Sequence, residues 1–364
     1  MEITSVEPFI LHVPLGKEIA DSVNRTNEWG LPGLRIFTDN GLIGTGYTST
    51  LTHNDEQIFE IIRDYYMPLL VGKDPMRNEE IWQSLYWSNV HWVGRMGITT
   101  MAQSAVDIAL WDLKARAAEL PLWKLLGGHK DHIKSYNTDG GWLNLSIPEL
   151  TENMGKLLSD GWTGVKMKIG SPDPRVDVAR VEAVRRELGF DFDLMIDANQ
   201  FWDLTTARTW APRFEPYQIA WLEEPLSPDD VRSHALLGRA TSIPIALGEH
   251  IYTVGQFRDF IVNDAVQYIQ VDCTRIGGVT PWMQVAELAQ AFNIAVVPHH
   301  ADMMRVHQHL AAATPASQMI ECIFWLQDIF EEPLNIRQGV FFLPETPGAS
   351  TAIREDMFKK YRIA

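Results

Sequence analysis

The chain has 364 residues and a formal net charge of −16, long enough for a large core with a smaller second domain. The acidity, with no stretch that collects Lys or Arg, argues against tracking a nucleic-acid backbone, and no apolar run is long enough for a membrane helix. Two cysteines, Cys273 and Cys322, lie beside apolar segments, as buried thiols in a reducing cytoplasm do, and the stretch Met1 to Glu7 shows no secretory pattern, so a cytoplasmic protein is expected.

Residues 2–14 and 33–49 read as strands, the second folding back through the turn signal Asp39-Asn40-Gly41, with polar stretches at 16–29 expected as loop. Helical periodicity follows at 54–72, 77–88 and 96–119. Strands followed by helices indicate an α+β unit over residues 1–130. From 131 to 329 the texture switches to short apolar strands alternating with helical windows: 133–138, 164–169, 192–198, 219–224, 244–249, 267–272, 294–299 and 318–323. A helix at 303–313 separates the last two. Eight such strands fit a closed α/β barrel of the TIM type, with its site at the strands' C-terminal ends. The irregular tail, about 330–364, is expected to pack back on the N-terminal unit and complete it.

Asp197, Glu223 and Glu249 each close an apolar run and open a polar turn, and 26 residues separate each from the next. That is the length of one strand plus its crossover helix, so three adjacent strands would bring three carboxylates to one rim. Oxygen ligands without Cys or an HxxxH pair suit a hard divalent cation, Mg²⁺ before Zn²⁺. In Gly164-Val165-Lys166-Met167-Lys168-Ile169, strand alternation turns Lys166 and Lys168 to one face, the lumen. Desolvation and mutual repulsion are expected to lower the pKa of one of them, making it usable as a base.

Asp272 and His299 are one further unit apart, 27 residues, which makes them an acid/base dyad in which the Asp orients the His. Glu321 interrupts the apolar run Met319-Ile320-Glu321-Cys322-Ile323, either as a site residue or as the ion-pair partner of a lumen lysine. Asn199 shares a face with Asp197, and His250 and His300 follow Glu249 and His299 at the rim. His307 and His309 read as structural helix residues, and Glu224 as pointing away from the lumen. A lysine pair on one flank, a His-Asp dyad on the other and a metal between them suit abstraction of a proton next to a carboxylate.

Lys166-Met167-Lys168, Asp197-Ala198-Asn199, Trp221-Leu222-Glu223-Glu224-Pro225, Gly248-Glu249-His250, and Asp272 with His299 together resemble the enolase superfamily and, within it, the mandelate racemase subgroup. A Lys or His base beside Mg²⁺ is the established pattern of that superfamily. The resemblance covers essentially the whole chain. It implies an N-terminal α+β capping domain, a modified (β/α)7β barrel, one Mg²⁺ per subunit on Asp197, Glu223 and Glu249, and a homo-oligomer. It also implies that Lys168 is an acid/base catalyst and that Lys166 contacts the substrate carboxylate.

No Lys occurs in 264–278, which disfavours the muconate-lactonising subgroup. The stretch Cys273 to Gly278 and the tail from Pro298 to Leu326 look like acid-sugar dehydratases of the galactarate, talarate and fuconate kind. The implied reaction removes the α-proton of an aldonate or aldarate through an enediolate and expels the C3 hydroxyl, giving a 2-keto-3-deoxy acid. A racemase or epimerase using the same Lys/His pair is the alternative, and a non-catalytic sugar-acid binder a remote one. By the same resemblance, capping loops set specificity, with Arg25 and Trp29 expected to face the distal end of the substrate and a second loop near Thr48-Ser49-Thr50 closing over it.

Overall fold

A computed structural model describes residues 1–300 and 303–364. Strands β1 (Ile3–Ala20), β2 (Arg25–Thr38) and β3 (Ile43–Tyr47) form an antiparallel sheet in that order. Against it packs the helix Ile98–Ala117, buried along most of its length through Ala102, Ala105, Val106, Ala109 and Leu113. The contact is very close: a Cβ on Gly46 of β3 would lie 1.9 Å from the carbonyl oxygen of Ala105, so only glycine lets the helix touch the sheet there.

Residues 16–29 are not a loop. β1 runs on to Ala20 and β2 starts at Arg25, with Ile19 paired to Thr26 and Ala20 to Arg25. Asp21 Oδ1 accepts the N–H groups of Val23 (2.8 Å) and Asn24 (2.6 Å), closing the hairpin with an Asx-type turn. A two-stranded ribbon projecting from its sheet buries few side chains, so its sequence stays polar and carries little strand signal.

Eight parallel strands follow: β4 (His132–Asn137), β5 (Gly164–Lys168), β6 (Asp193–Asp197), β7 (Ile219–Glu223), β8 (Ile245–Leu247), β9 (Tyr268–Ile269), β10 (Ala295–Val296) and β11 (Met319–Cys322). Each pairs with the next from β4 to β10, β11 pairs with β4, and a parallel bridge between Val296 and Ser317 closes the ring. A helix joins each consecutive pair, up to Val306–Ala313 between β10 and β11, giving the (β/α)7β order. Several of these helices begin on a side-chain cap: Ser146 with Glu149 in a capping box, Asp203, Asp230 and Thr253. Between the helices and the barrel wall packs the main core, to which Met167 and Ile169 belong. Tyr136, Met195, Trp221, Ala246 and Val297 fill the lumen beneath the site.

The tail holds structure that its sequence does not announce. Short strands β12 (Ile336–Arg337) and β13 (Val340–Phe342) form a hairpin that extends β4 antiparallel. The helix Glu355–Tyr361 lays Phe358 edge-on against Phe9 of the capping sheet, ring centroids 5.1 Å apart. Cys273 and Cys322 are buried as thiols. Among the described residues no helix is long and apolar enough to cross a membrane.

Candidate active site

The C-terminal ends of the parallel strands and the capping domain enclose a cavity of about 620 Å³. Lys168, Asn199, Glu249, His250, His299 and His300 border it from the barrel, and Ile19, Asp21, Thr26, Trp29, Ser49 and Ile98 from the cap.

Lys166, Lys168, Asp197 and Glu223 turn inward together because they share register: Lys168 pairs with Asp197, and Asp197 with Glu223. Lys168 Nζ lies 2.5 Å from Asp197 Oδ2. Lys166 Nζ lies 2.5 Å from Glu223 Oε1, 2.9 Å from Glu321 Oε1 and 3.7 Å from Asp197 Oδ2. Gln270 (2.6 Å) and Trp221 (3.0 Å) donate to the other oxygen of Glu223. Glu321 accepts from the Thr138 hydroxyl (2.6 Å) and the His300 amide (3.2 Å).

Glu249 stands two residues past β8, after Gly248, whose φ of +155° and near-contact with the Gln270 backbone (a Cβ would lie 2.6 Å away) leave room for no other residue. From there Glu249 Oε2 meets His299 Nε2 at 3.0 Å. His299 Nδ1 lies 2.8 Å from Asp272 Oδ2, while Asp272 Oδ1 accepts the amide and hydroxyl of Thr274 at 2.8 and 2.7 Å. The dyad is thus fixed from behind, and His307, which accepts the Cys273 amide at 2.9 Å, backs it.

The electrostatics depart from expectation. Burial alone would pull both lysines down, but Glu223, Glu321 and Tyr136 around Lys166, and Asp197 beside Lys168, outweigh it and hold both above the ordinary ammonium value. Burial pushes the Glu223 carboxyl well up despite Lys166. Burial also works against Asp272, Glu249 and Glu321, yet His299 and its neighbours keep the first two below the usual carboxylate range, and Lys166 the third. Burial, with His299 beside it, presses His300 well below the usual histidine value. The two rings stack 3.6 Å apart.

Two residues expected to contact substrate do not border the cavity. Arg25 has a side chain 63% exposed and bonded to Glu18 at 2.6 Å, whereas Thr26 and Trp29 of the same strand do border the cavity, because the register shift between the Ile19–Thr26 and Pro14–Glu28 pairs breaks simple alternation along β2. Lys166 is fully buried below the cavity rather than bordering it, since Glu223 and Glu321 need a cation between them. Of the three rim acids, Glu249 borders the cavity and Asp197 and Glu223 lie beneath it. Their oxygens are not drawn onto one point; each faces Lys168, Lys166 or His299. Glu224, read as pointing away from the lumen, is not among the residues that border the cavity and pairs with its neighbours, accepting from His250 (2.8 Å) and Gln200 (3.1 Å).

Trp142, which carries no charge or motif to single it out in the sequence, follows the first barrel strand at the rim, its ring 5.5 Å from Lys168 Nζ. Arg275, within the stretch Cys273 to Gly278, donates to the Glu249 carbonyl at 2.9 Å.

The donor set fits a hard divalent cation. Asp197, Glu223, Glu249, Asp272 and Glu321 are buried carboxylates, whereas Lys166, Lys168 and Arg275 are the permanent cations among them. Such an excess of buried acidic groups over cations is what a further positive charge would stabilise, and the Oδ1 of Asn199 beside it is buried without a partner.

The chain matches the family described as Mandelate racemase / muconate lactonizing enzyme, N-terminal domain over residues 14–127, and that described as Enolase C-terminal domain-like over 149–357. It is 36% identical to the L-talarate/galactarate dehydratase of Salmonella typhimurium, across 88% of this chain and 79% of that one. It is 35% identical to the 3,6-anhydro-alpha-L-galactonate cycloisomerase of Streptomyces coelicolor, across 95% of each. Among solved structures, a racemase from Streptomyces coelicolor with bound magnesium superposes with a TM-score of 0.94 at 33% identity, covering 99% of this chain and 100% of that one. The chain belongs to the mandelate racemase/muconate lactonizing enzyme family of the enolase superfamily.

Proposed function

We propose that the protein is a Mg²⁺-dependent sugar-acid dehydratase that removes the proton α to a carboxylate, passes through an enediolate and expels the C3 oxygen. The observation that carries this reading is the placement of Lys168, at the end of β5, and His299, after β10 and backed by Asp272 from after β9, far apart around the ring on one cavity, with Asp197, Glu223 and Glu249 at its floor. The relatives' sugar-acid chemistry and bound magnesium support it.

Asp197, Glu223 and Glu249 would hold the cation. When bound, Mg²⁺ would neutralise charge that develops on the substrate carboxylate during proton loss. Lys168 and His299 then face opposite sides of C2, and the configuration at C2 decides which of them takes the proton. The other side chain supplies a proton to the departing C3 oxygen. Asp272 keeps Nδ1 of His299 engaged, so that Nε2 is the nitrogen that exchanges protons at the cavity. Lys166, beneath the floor, balances Glu223 and Glu321. Ile19, Trp29 and Ile98 roof the cavity and limit water at the reacting carbon.

The same pair could exchange a proton across C2 without elimination, and the racemase neighbour gives that second reading its support. Purified protein with Mg²⁺ and a library of sugar acids, including 3,6-anhydro acids, separates the two. A 2-keto-3-deoxy product trapped with semicarbazide establishes dehydration. Deuterium entry at C2 in D₂O without that product would replace it with racemisation or epimerisation.

A further inference from the structure

Resting on the reading of the protein as an acid-sugar enzyme, we infer that its substrate carries a single carboxylate and that the end facing the cap is an uncharged polyol. Five side chains that border the cavity hold a polar atom with no hydrogen-bond partner: Trp29 Nε1, Ser49 Oγ, Trp142 Nε1, Asn199 Oδ1 and His300 Nδ1. All five residues are more than nine-tenths buried. A buried polar atom left unpaired costs about 1–3 kcal/mol, so five around one cavity, Trp29 and Ser49 on the cap and Trp142, Asn199 and His300 on the barrel, point to a ligand that pairs them. The set mixes N–H donors with a carbonyl acceptor. On the cap the two unpaired groups are the Trp29 N–H, which only donates, and the Ser49 hydroxyl, which donates and accepts, and hydroxyls of a polyol serve both roles without bringing a charge.

The charges say the same. One carboxylate of the substrate has the floor: Lys168, Arg275 and the cation held by the acids. A second, at the far end, would meet the cap. Among the described residues the cap contributes one basic side chain to the lining, the exposed His53, together with the carboxylate of Asp21. The cations of the β1–β2 hairpin are spent outside, Arg25 on Glu18 at 2.6 Å and Lys17 on Asp139 at 3.1 Å. A desolvated carboxylate needs a charged partner, and among the described cap residues only the solvent-exposed His53 stands on this wall, with the carboxylate of Asp21 against it.

The test pairs each aldonate, and each anhydro monoacid, with the aldarate of matching configuration, using the wild-type protein and Mg²⁺ and reading both keto product and C2 exchange. The expected result is a kcat/KM for the monoacid that exceeds that of its diacid by about 30-fold or more. A diacid that reacts as well as its monoacid overturns the inference and leaves the dehydratase reading intact. Absence of both product and exchange throughout removes the dehydratase reading instead. Titration calorimetry in the presence of Mg²⁺ then decides the inference by itself. Tighter binding of monoacids sustains it, while equal or tighter binding of diacids, or binding of neither, overturns it.

Discussion

Lys168 and Asp197 are direct register partners on adjacent parallel strands, and the ammonium of one lies 2.5 Å from the carboxylate of the other. The proposed proton-transfer group and a candidate metal ligand are therefore one unit, with the Trp142 ring over the lysine. Replacing Lys168 by Ala should lower kcat by about 10²–10⁴-fold. Lys168→Arg should not restore it, because a larger planar guanidinium cannot take the position of the ammonium between Asp197 and the Trp142 ring. Steady-state kinetics with the accepted acid, together with C2 exchange, measure this. A Lys168→Ala enzyme within tenfold of the wild type would remove Lys168 from proton transfer.

Asp272 receives His299, the Thr274 amide and the Thr274 hydroxyl at once. Asp272→Asn keeps the shape but turns an amide or a neutral oxygen toward His299 Nδ1, so the ring loses both its preferred tautomer and the charge that stabilises its protonated form. The expected loss in kcat is about 10²–10⁴-fold with KM changed much less. A structural defect alone would lower the folded fraction and leave the pH–rate profile of the remaining enzyme unmoved, whereas a defect in orienting the base displaces that profile.

Chelation by EDTA should stop turnover, and Mg²⁺ should restore it. The same ion should raise resistance to urea, by about 2.7 kcal/mol at a hundredfold excess over Kd. In Asp197→Asn that stabilisation should be largely gone, because one rim acid is lost and Lys168 loses its partner. Equal Mg²⁺ stabilisation of the variant and the wild type would show that the ion binds elsewhere.

The alternation of the barrel was readable because buried parallel strands are short apolar runs, and the intervals between Asp197, Glu223 and Glu249 repeat one βα unit. Parity along β5 was equally plain, placing Lys166 and Lys168 together on the inside. What pattern could not supply was who faces whom. The lysines were expected to repel each other, yet in three dimensions each has its own carboxylate, Glu321 reaching Lys166 from a strand more than 150 residues later. The β1–β2 ribbon escaped notice because half of it is solvated, and with it went the direction of Arg25. β12 and β13 are too short to carry a period.

Asp107 gives a prediction remote from the cavity. It is buried in the helix Ile98–Ala117, and its carboxyl accepts the amide (2.8 Å) and hydroxyl (2.9 Å) of Thr280 at the start of the helix Val279–Ala291. Burial pushes its pKa up to about 7, against the Thr280 bonds and with some help from the charge of Glu79. In the unfolded chain an Asp titrates near 3.9, so between roughly pH 4 and pH 7 the folded protein holds a proton that the unfolded one has lost. The stability this group contributes is therefore full below about pH 4 and drains away as the pH rises through about 7. Asp107→Asn keeps an acceptor for Thr280 and cannot ionise. Relative to the wild type, it should gain stability steadily between about pH 4 and pH 7, by at most about 4 kcal/mol over the whole window, and level off above. Urea denaturation of both proteins across that range measures the difference, and curves that run parallel would mean that Asp107 does not change its charge there.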